Sequence, residues 1–313
     1  MASLPVQLFF WPGSFFSQKA QLALEEKNVR YKQTVICLPE HQQTEPWYLR
    51  LNPKGQVPML KLGDKFVTES ENVIDTVDKL NNAPVLVPDP STPEGKLVQE
   101  WRSKFNSLNV EGLTFGVLLH PELAVGEIKM PAMYRQTKEG YEAKAKKAVA
   151  RMEALRDKNP DLREAYDDKI EKFRNKPSIM LDKNYIAKLI DDLEPLFDEL
   201  EAQLRKSRTE NIIQHWLCGP NFTAADITLC ILLGRLINVG LIQRFLIAEK
   251  RPALIEYWNQ AQQRGTIQKV VLGAKKGLMV YLAKKAITKV ATGAVVAGGV
   301  VALGIFLGQK YKS

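Results

Sequence analysis

The sequence predicts an α/β domain followed by an all-helical domain, with a charged helical insertion and a C-terminal transmembrane helix. Short apolar strands alternate with amphipathic helices near the N-terminus, helical periodicity dominates afterwards, and one late segment carries no charge. The predicted units are an N-terminal domain over 1–82, a linker over 83–95, a helical domain over 96–264 with the insertion over about 120–180, a basic apolar segment over 265–290 and the transmembrane helix over 291–308.

The positive charge is concentrated at the C-terminus. The whole chain has a formal charge of +9, but residues 265–313 contain eight Lys and no acidic residue, so the rest carries only +1. A nearly neutral body gives no reason to expect binding to nucleic acid. The three cysteines and three histidines share no ligand spacing, so we expect a reducing compartment and no metal site.

The first domain is predicted to open with a strand, a turn and a helix. Its predicted elements are a strand over 6–10, a helix over 14–26, a strand over 31–37, a hairpin that is entered after Pro58 and continues over 65–68, and a helix that begins near Glu69. A proline so close to the start of a strand must lie at an edge or a bulge, or follow a cis peptide bond.

Four prolines mark the linker, and the pattern beyond it is helical. Residues 138–174 are rich in charge and poor in apolar side chains, which predicts a largely exposed helical pair projecting from the body. Residues 186–204 predict one amphipathic helix. Thr223 and Asp226 fit a capping box at the start of an apolar helix, and their predicted role is stability, worth about 1–2 kcal/mol.

The uncharged segment 291–308 has lysines on both sides. As a helix it would be about 27 Å long, slightly less than the ~30 Å hydrocarbon core of a bilayer. It is predicted to be a tail anchor, and the alternative is a buried glycine-rich core helix. Residues 266–290 show no clean apolar face at 100° per residue, so they are interpreted as a connector near lipid headgroups or as a solvated helix.

The order of elements, the run NPKGQVP and the pair Glu69-Ser70 resemble the thioredoxin-fold domain of cytosolic glutathione transferases. The resemblance implies that Val57, before Pro58, pairs its backbone with glutathione. It also implies that Ser70, at a helix N-terminus, binds the γ-glutamyl carboxylate beside Glu69. The alternative for Glu69-Ser70 is a simple helix start.

The whole chain resembles the ganglioside-induced differentiation-associated protein 1 family through SFFSQKAQLALEEK, EHQQTEPWYLRLN, LLHPEL, NPDLREAY and WLCGPNFTAADITL. The resemblance implies a cytosol-facing, tail-anchored protein of the mitochondrial outer membrane and of peroxisomes that promotes mitochondrial fission. Its partners would be the lipid of that membrane and proteins bound through the charged insertion, with a homodimer as a further expectation. A long solvated helix is the alternative for the insertion.

Catalysis is less well defined, because Phe15 stands where serine-type transferases place their hydroxyl. Ser14 and Ser17 flank it and are the candidate catalytic residues, and the alternative for Ser14 is a helix cap. We expect weak or absent transferase activity and no tightly bound cofactor, with glutathione as the expected ligand. Two alternatives stay open: an active glutathione transferase that conjugates electrophiles, and a non-catalytic binder of an apolar ligand.

Overall fold

The computed structural model describes residues 5–207 and 215–291, with the side chains of these residues as far as 283. The N-terminal domain contains β1 (Val6–Phe10), α1 (Phe15–Glu26), β2 (Lys32–Val35), α2 (Pro46–Leu51), β3 (Met59–Leu62), β4 (Lys65–Thr68) and α3 (Ser70–Asp78). The strand order is β2-β1-β3-β4, with β2 parallel to β1 and the other pairs antiparallel. Strand β1 is therefore central, and its Leu8 is fully buried.

The β3–β4 hairpin is closed by a two-residue turn, Gly63-Asp64. Leu62 pairs with Lys65 across the turn. Gly63 has a φ of 59°, a conformation that glycine adopts without steric cost and that tight hairpin turns require. The turn fixes the register of β3 and β4, and that register positions the segments on either side of the hairpin.

The rest of the described chain is helical. Its helices are α4 (Pro93–Asn106), α5 (Val117–Leu119), α6 (Lys138–Lys158), α7 (Arg163–Met180), α8 (Lys183–Asp191), α9 (Leu193–Ser207), α10 (Ala224–Asn238), α11 (Ile242–Phe245), α12 (Pro252–Gln262), α13 (Gly265–Ile267) and α14 (Ala274–Ala291). Two π-helical turns, Gly112–Gly116 and Gln268–Leu272, precede α5 and α14. Helix α10 is buried along almost its whole length and packs against α1 and α4, so it forms the centre of the two-domain core.

The single helix predicted over 186–204 is two helices. Asp182 caps α8 by accepting hydrogen bonds from the N–H groups of Asn184 and Tyr185. Helix α9 then begins afresh at Leu193. Pro195 gives the physical reason, because it has no N–H to bond the carbonyl one turn earlier and is tolerated only in the first turn of a helix.

The charged insertion forms the predicted helical pair, α6 and α7, but the prediction that it projects from the body is wrong. Tyr166 and Ile170 of α7 are buried together with Leu49 of α2 in a separate apolar cluster. These two residues of α7 are four apart and lie on one face of the helix. A narrow apolar stripe on a mostly charged helix is therefore sufficient to dock the pair on the N-terminal domain.

The segment 266–290 also packs on the body over its first part. Ile267, Val270, Val271 and Leu278 are buried. At 100° per residue these four residues lie on one side of a helix, but Lys285 and Lys289 fall on the same side further along, so a projection of the whole segment shows no clean apolar face. No helix within 5–207 and 215–291 is long and apolar enough to span a bilayer. The predicted anchor over 291–308 lies, beyond its first residue, outside the described residues.

Candidate functional site

The sheet register brings three separate segments to one end of the N-terminal domain. Phe9 of β1 pairs with Met59 of β3, which in turn pairs with Thr68 of β4. The chain leaves β1 toward the N-terminus of α1, enters β3 through Val57-Pro58 and leaves β4 toward the N-terminus of α3. These three segments therefore converge, as expected from the predicted order of elements.

Val57 precedes a cis peptide bond to Pro58 and presents an unpaired backbone. Neither its N–H nor its C=O has a hydrogen-bond partner among the described residues. The preceding carbonyl of Gln56 is held by Tyr48 Oη at 2.7 Å and by Asn52 Nδ2 at 2.9 Å. The loop is therefore fixed from behind, while Val57 keeps a donor and an acceptor free for an extended peptide.

The N-terminus of α3 lies beside it. Glu69 has a φ of 66°, an unfavourable value for a residue with a side chain, and its carboxylate pairs with Lys54 Nζ at 2.6 Å. Ser70 is the first residue of α3, and its hydroxyl has no partner among the residues the structure describes. The free hydroxyl and the N–H groups of the first turn can together bind a carboxylate.

The two candidate serines of α1 differ in their environment. Ser14 is half-buried at the N-cap, where its Oγ accepts a hydrogen bond from Ser17 N at 3.2 Å. Its own proton remains free to donate. Ser17 is fully buried, and its Oγ accepts from Trp11 N at 3.2 Å. Phe15 is buried as well, so Ser14 is the only one of these three side chains that can reach a ligand.

Distant parts of the chain cover the turn before α1. The Nε1–H of Trp11 donates to Tyr134 Oη at 2.7 Å, and the ring of Tyr281 from α14 meets the Trp11 ring edge-on at 5.5 Å. Burial raises the pKa of Tyr134 to about 12, so its hydroxyl stays neutral. No motif in the sequence indicated Tyr134 or Tyr281, because each meets Trp11 only through the tertiary fold.

The insertion reaches the loop that carries Val57. Lys169 Nζ of α7 donates to the carbonyl of Gly55 at 3.0 Å, and Tyr166 Oη donates to the carbonyl of Thr44 at 2.9 Å. Burial lowers the pKa of Lys169 to about 8. Sequence reasoning missed this contact, since Lys169 stands among many charged residues without a distinguishing pattern.

Thr223 and Asp226 lie apart from these segments, at the start of α10. Asp226 Oδ2 accepts from Thr223 N and from Thr223 Oγ1, both at 2.9 Å, and the capping box is formed. Its Oδ1 accepts from Leu217 N at 2.8 Å and from Tyr257 Oη at 3.0 Å. The carboxyl group thus ties three segments of the helical domain together.

Two family models match the chain. The model for the glutathione S-transferase N-terminal domain matches residues 8–89, and the model for the C-terminal domain matches residues 183–257, which together make just over half of the chain. Helices α6 and α7 fall between the two matches. Ser14, Val57 and Ser70 all lie within the first match.

Known proteins are similar over most of the chain. Human (Homo sapiens) ganglioside-induced differentiation-associated protein 1-like 1 is 29% identical over 270 residues, which is 84% of this chain and 73% of that protein. Tetrachloro-p-hydroquinone reductive dehalogenase of Sphingobium chlorophenolicum is 27% identical over 265 residues, 84% of this chain and 94% of that protein. The structure of a Drosophila mojavensis glutathione transferase homologue with bound glutathione superposes with a TM-score of 0.56 at 15% identity, covering 88% of this chain and 95% of the other.

These findings confirm the predicted combination of a thioredoxin-like sheet domain with a helical domain. They also confirm the resemblance to the ganglioside-induced differentiation-associated protein 1 family. The chain therefore belongs to the glutathione S-transferase family, with the ganglioside-induced differentiation-associated protein 1-like 1 proteins among its relatives.

Proposed function

We propose that the converging segments of the N-terminal domain form a binding site for glutathione. The observation that carries the proposal is the unpaired backbone of Val57, held at a cis peptide bond between the N-termini of α1 and α3. In this arrangement the cysteinyl unit pairs with Val57, and the γ-glutamyl carboxylate lies at Ser70. The thiol then lies near Ser14.

The chemistry of this site is transfer of the glutathione thiolate to an electrophile. Ser14 Oγ–H donates to the sulfur, and the N-terminus of α1 favours its negative charge, so both lower the pKa of the thiol. The thiolate attacks the electrophilic carbon, and the sulfur–carbon bond forms as the leaving group departs with its electron pair. Because a single serine hydroxyl and a helix terminus give only modest help in forming a thiolate, we expect slow turnover.

Calorimetric titration tests the binding proposal. Wild-type protein should bind glutathione, and Ser70→Ala should weaken binding by about tenfold, since a carboxylate then loses a charge-assisted hydrogen bond. Ser103→Ala, an exposed serine on α4, is the matched control and should bind like the wild type. No heat of binding at millimolar glutathione would remove the proposal and leave an apolar ligand as the alternative.

We further propose that the chain acts from the cytosolic face of the mitochondrial outer membrane, with peroxisomes as a second location, to promote remodelling and fission of the mitochondrial network. Support comes from the family resemblance and from the uncharged segment 291–308 between lysines. The exposed charges of α6 and α7 are the proposed surface for a protein partner. Assembly as a homodimer stays a prediction.

Imaging of cells that express the full chain or the chain without residues 289–313 tests this second proposal. The full chain should lie on mitochondria and fragment the network. The shortened chain should be released to the cytosol and leave the network unchanged, because the apolar segment that inserts into the bilayer is gone. Retention of the shortened chain on the outer membrane would contradict the proposed anchor.

A further inference from the structure

A buried arginine lies directly behind the turn that begins α1. Arg235 of α10 is 7% exposed. Its Nη2 donates to the carbonyl of Gly13 at 2.8 Å, and its Nη1 makes a long contact with Thr114 Oγ1 at 3.5 Å. The guanidinium therefore adjoins the peptide that links Gly13 to the N-cap residue Ser14.

This guanidinium has no counter-charge in the described chain. No carboxylate of residues 5–207 or 215–291 lies within ion-pairing distance, and its remaining N–H groups have no acceptor there. The one titratable side chain that bears on its charge is Tyr134, which is neutral. Burial accordingly lowers the pKa of Arg235 to about 10.

Of the other buried cations in the described ranges, Lys169 donates only to the Gly55 carbonyl, and the rest pair with carboxylates. Lys19 is held by Glu71, and Arg251 by Glu194 and Asp198. An unpaired buried charge is costly, and its cost falls when an anion lies nearby. The first turn of α1 contains no acidic residue. The partial positive charge of its N–H groups and the charge of the guanidinium therefore both act at the N-terminus of α1, and no acidic side chain of that turn balances them.

We propose that Arg235 is a positioning residue which, through the Gly13 peptide and the first turn of α1, stabilises an anion at Ser14. The inference rests on the proposed function, in which this anion is the glutathione thiolate. It deepens that function by assigning part of the stabilisation of the thiolate to the helical domain. A purely structural role would require only the hydrogen bond to Gly13, whereas this role requires the charge.

A thiol built into the turn measures the effect without glutathione. In Ser14→Cys, the pKa of the new thiol is followed by its ultraviolet absorbance and by its rate of alkylation with iodoacetamide. Cys37, Cys218 and Cys230 are buried, and the unmodified chain gives their background rate. We expect the pKa of Cys at this position to lie below the ordinary value of about 8.5.

Two substitutions of Arg235, each made in addition to Ser14→Cys, separate the effect of the charge from the effect of the hydrogen bond. Arg235→Gln keeps a donor for the Gly13 carbonyl but removes the charge, and it should slow alkylation at pH 7 by about tenfold. Arg235→Lys keeps the charge, and its alkylation rate should stay within about twofold of the rate of Ser14→Cys with Arg235 in place. Circular dichroism verifies that each variant is folded.

Equal alkylation rates in the Gln and Lys variants would overturn the inference. So would a thiol pKa at or above the ordinary value in Ser14→Cys with Arg235 in place, a result that does not depend on the folding of the other variants. Failure of the proposed function shows itself differently, as absence of glutathione binding in calorimetry while the thiol pKa is depressed.

Discussion

Asp226 is a fully buried carboxyl group whose partners all donate hydrogen bonds to it. Burial raises its pKa to about 6, and the hydrogen bonds from Leu217, Thr223 and Tyr257 only reduce that rise. Desolvation therefore outweighs the capping interactions. The sequence predicted the capping box from the spacing of two residues, but the partners from Leu217 and Tyr257 belong to other segments and leave no local pattern.

The raised pKa predicts how stability changes with pH. A carboxyl group that binds its proton more tightly in the folded state contributes stability below pH 4, and this contribution is lost as pH rises through about 6. A difference of about two pKa units corresponds to roughly 3 kcal/mol. We expect Asp226→Asn, which resembles the protonated form, to cost more free energy of unfolding at pH 4 than at pH 7.

Urea unfolding at several pH values measures this difference. Asp64→Asn, in the exposed turn of the hairpin, is the matched control and should show no such dependence on pH. A cost of Asp226→Asn that is constant between pH 4 and pH 7 would contradict the prediction. That result would mean that the carboxyl group is ionised in the fold throughout this range.

Helix α7 is the element whose docking connects the insertion to the candidate site. Gly55 lies under it with a φ of +49°, and a Cβ there would meet Lys169 Cε at 2.2 Å and the Gln43 carbonyl at 2.6 Å. Gly55 stands two residues before Val57. The loop that presents the free backbone of Val57 is therefore also the loop that α7 contacts. Movement of α7 should therefore disturb the ligand site.

Gly55→Ala tests this coupling. The substitution forces a left-handed conformation on alanine and a clash with the carbonyl of Gln43, so we expect a loss of about 1–3 kcal/mol in stability. Glutathione binding should weaken as the Val57 loop shifts. Gly265→Ala, where an added Cβ meets nothing within 4 Å, is the control. Unchanged binding in a destabilised Gly55→Ala would show that α7 and the site are independent.

Much of the element order was predictable because each strand and helix of the N-terminal domain has its own periodicity and its own turn residues. The docking of α7 was not, since Tyr166 and Lys169 contact Thr44 and Gly55 more than a hundred residues away. Nor was the packing of Leu278, because the apolar face that it shares with Ile267 covers only the first part of the segment 266–290, and later lysines fall on the same side of the projection. Local sequence patterns predict helices and strands, whereas contacts between residues far apart in the chain can be identified only once the fold is known.

At the scale of the whole molecule, charged side chains join the two domains. Glu71 of α3 accepts from Lys19 of α1 and, at 2.6 Å, from Arg102 of α4. Arg264 reaches Glu26 from the far end of the helical domain. Between these contacts lies the interface of α1 with α10, so the site at the N-terminus of α1 is held by both domains and should not survive their separation.

Glu71→Gln tests how much of this coupling is electrostatic. Lys19 and Arg102 are almost fully buried, with side chains 1% and 5% exposed. Removing the charge of their shared carboxylate therefore takes an ion-pair partner away from each of two buried cations. We expect a loss of about 3 kcal/mol in the free energy of unfolding. Glu142→Gln, on the exposed face of α6, should change it by less than about 0.5 kcal/mol.

The pH dependence gives this prediction a second readout. Burial alone would raise the pKa of Glu71, but the charges of Lys19 and Arg102 lower it overall. A lowered pKa means that Glu71 stabilises the fold above the ordinary carboxyl range, and that this stability is lost as pH falls through the folded value. Acid unfolding should therefore begin at the same pH in Glu142→Gln as in the wild type, whereas Glu71→Gln should lose less stability on acidification because it has already lost the ion pairs. Equal acid sensitivity in all three proteins would mean that the ion pairs of Glu71 add nothing measurable to the stability of the fold.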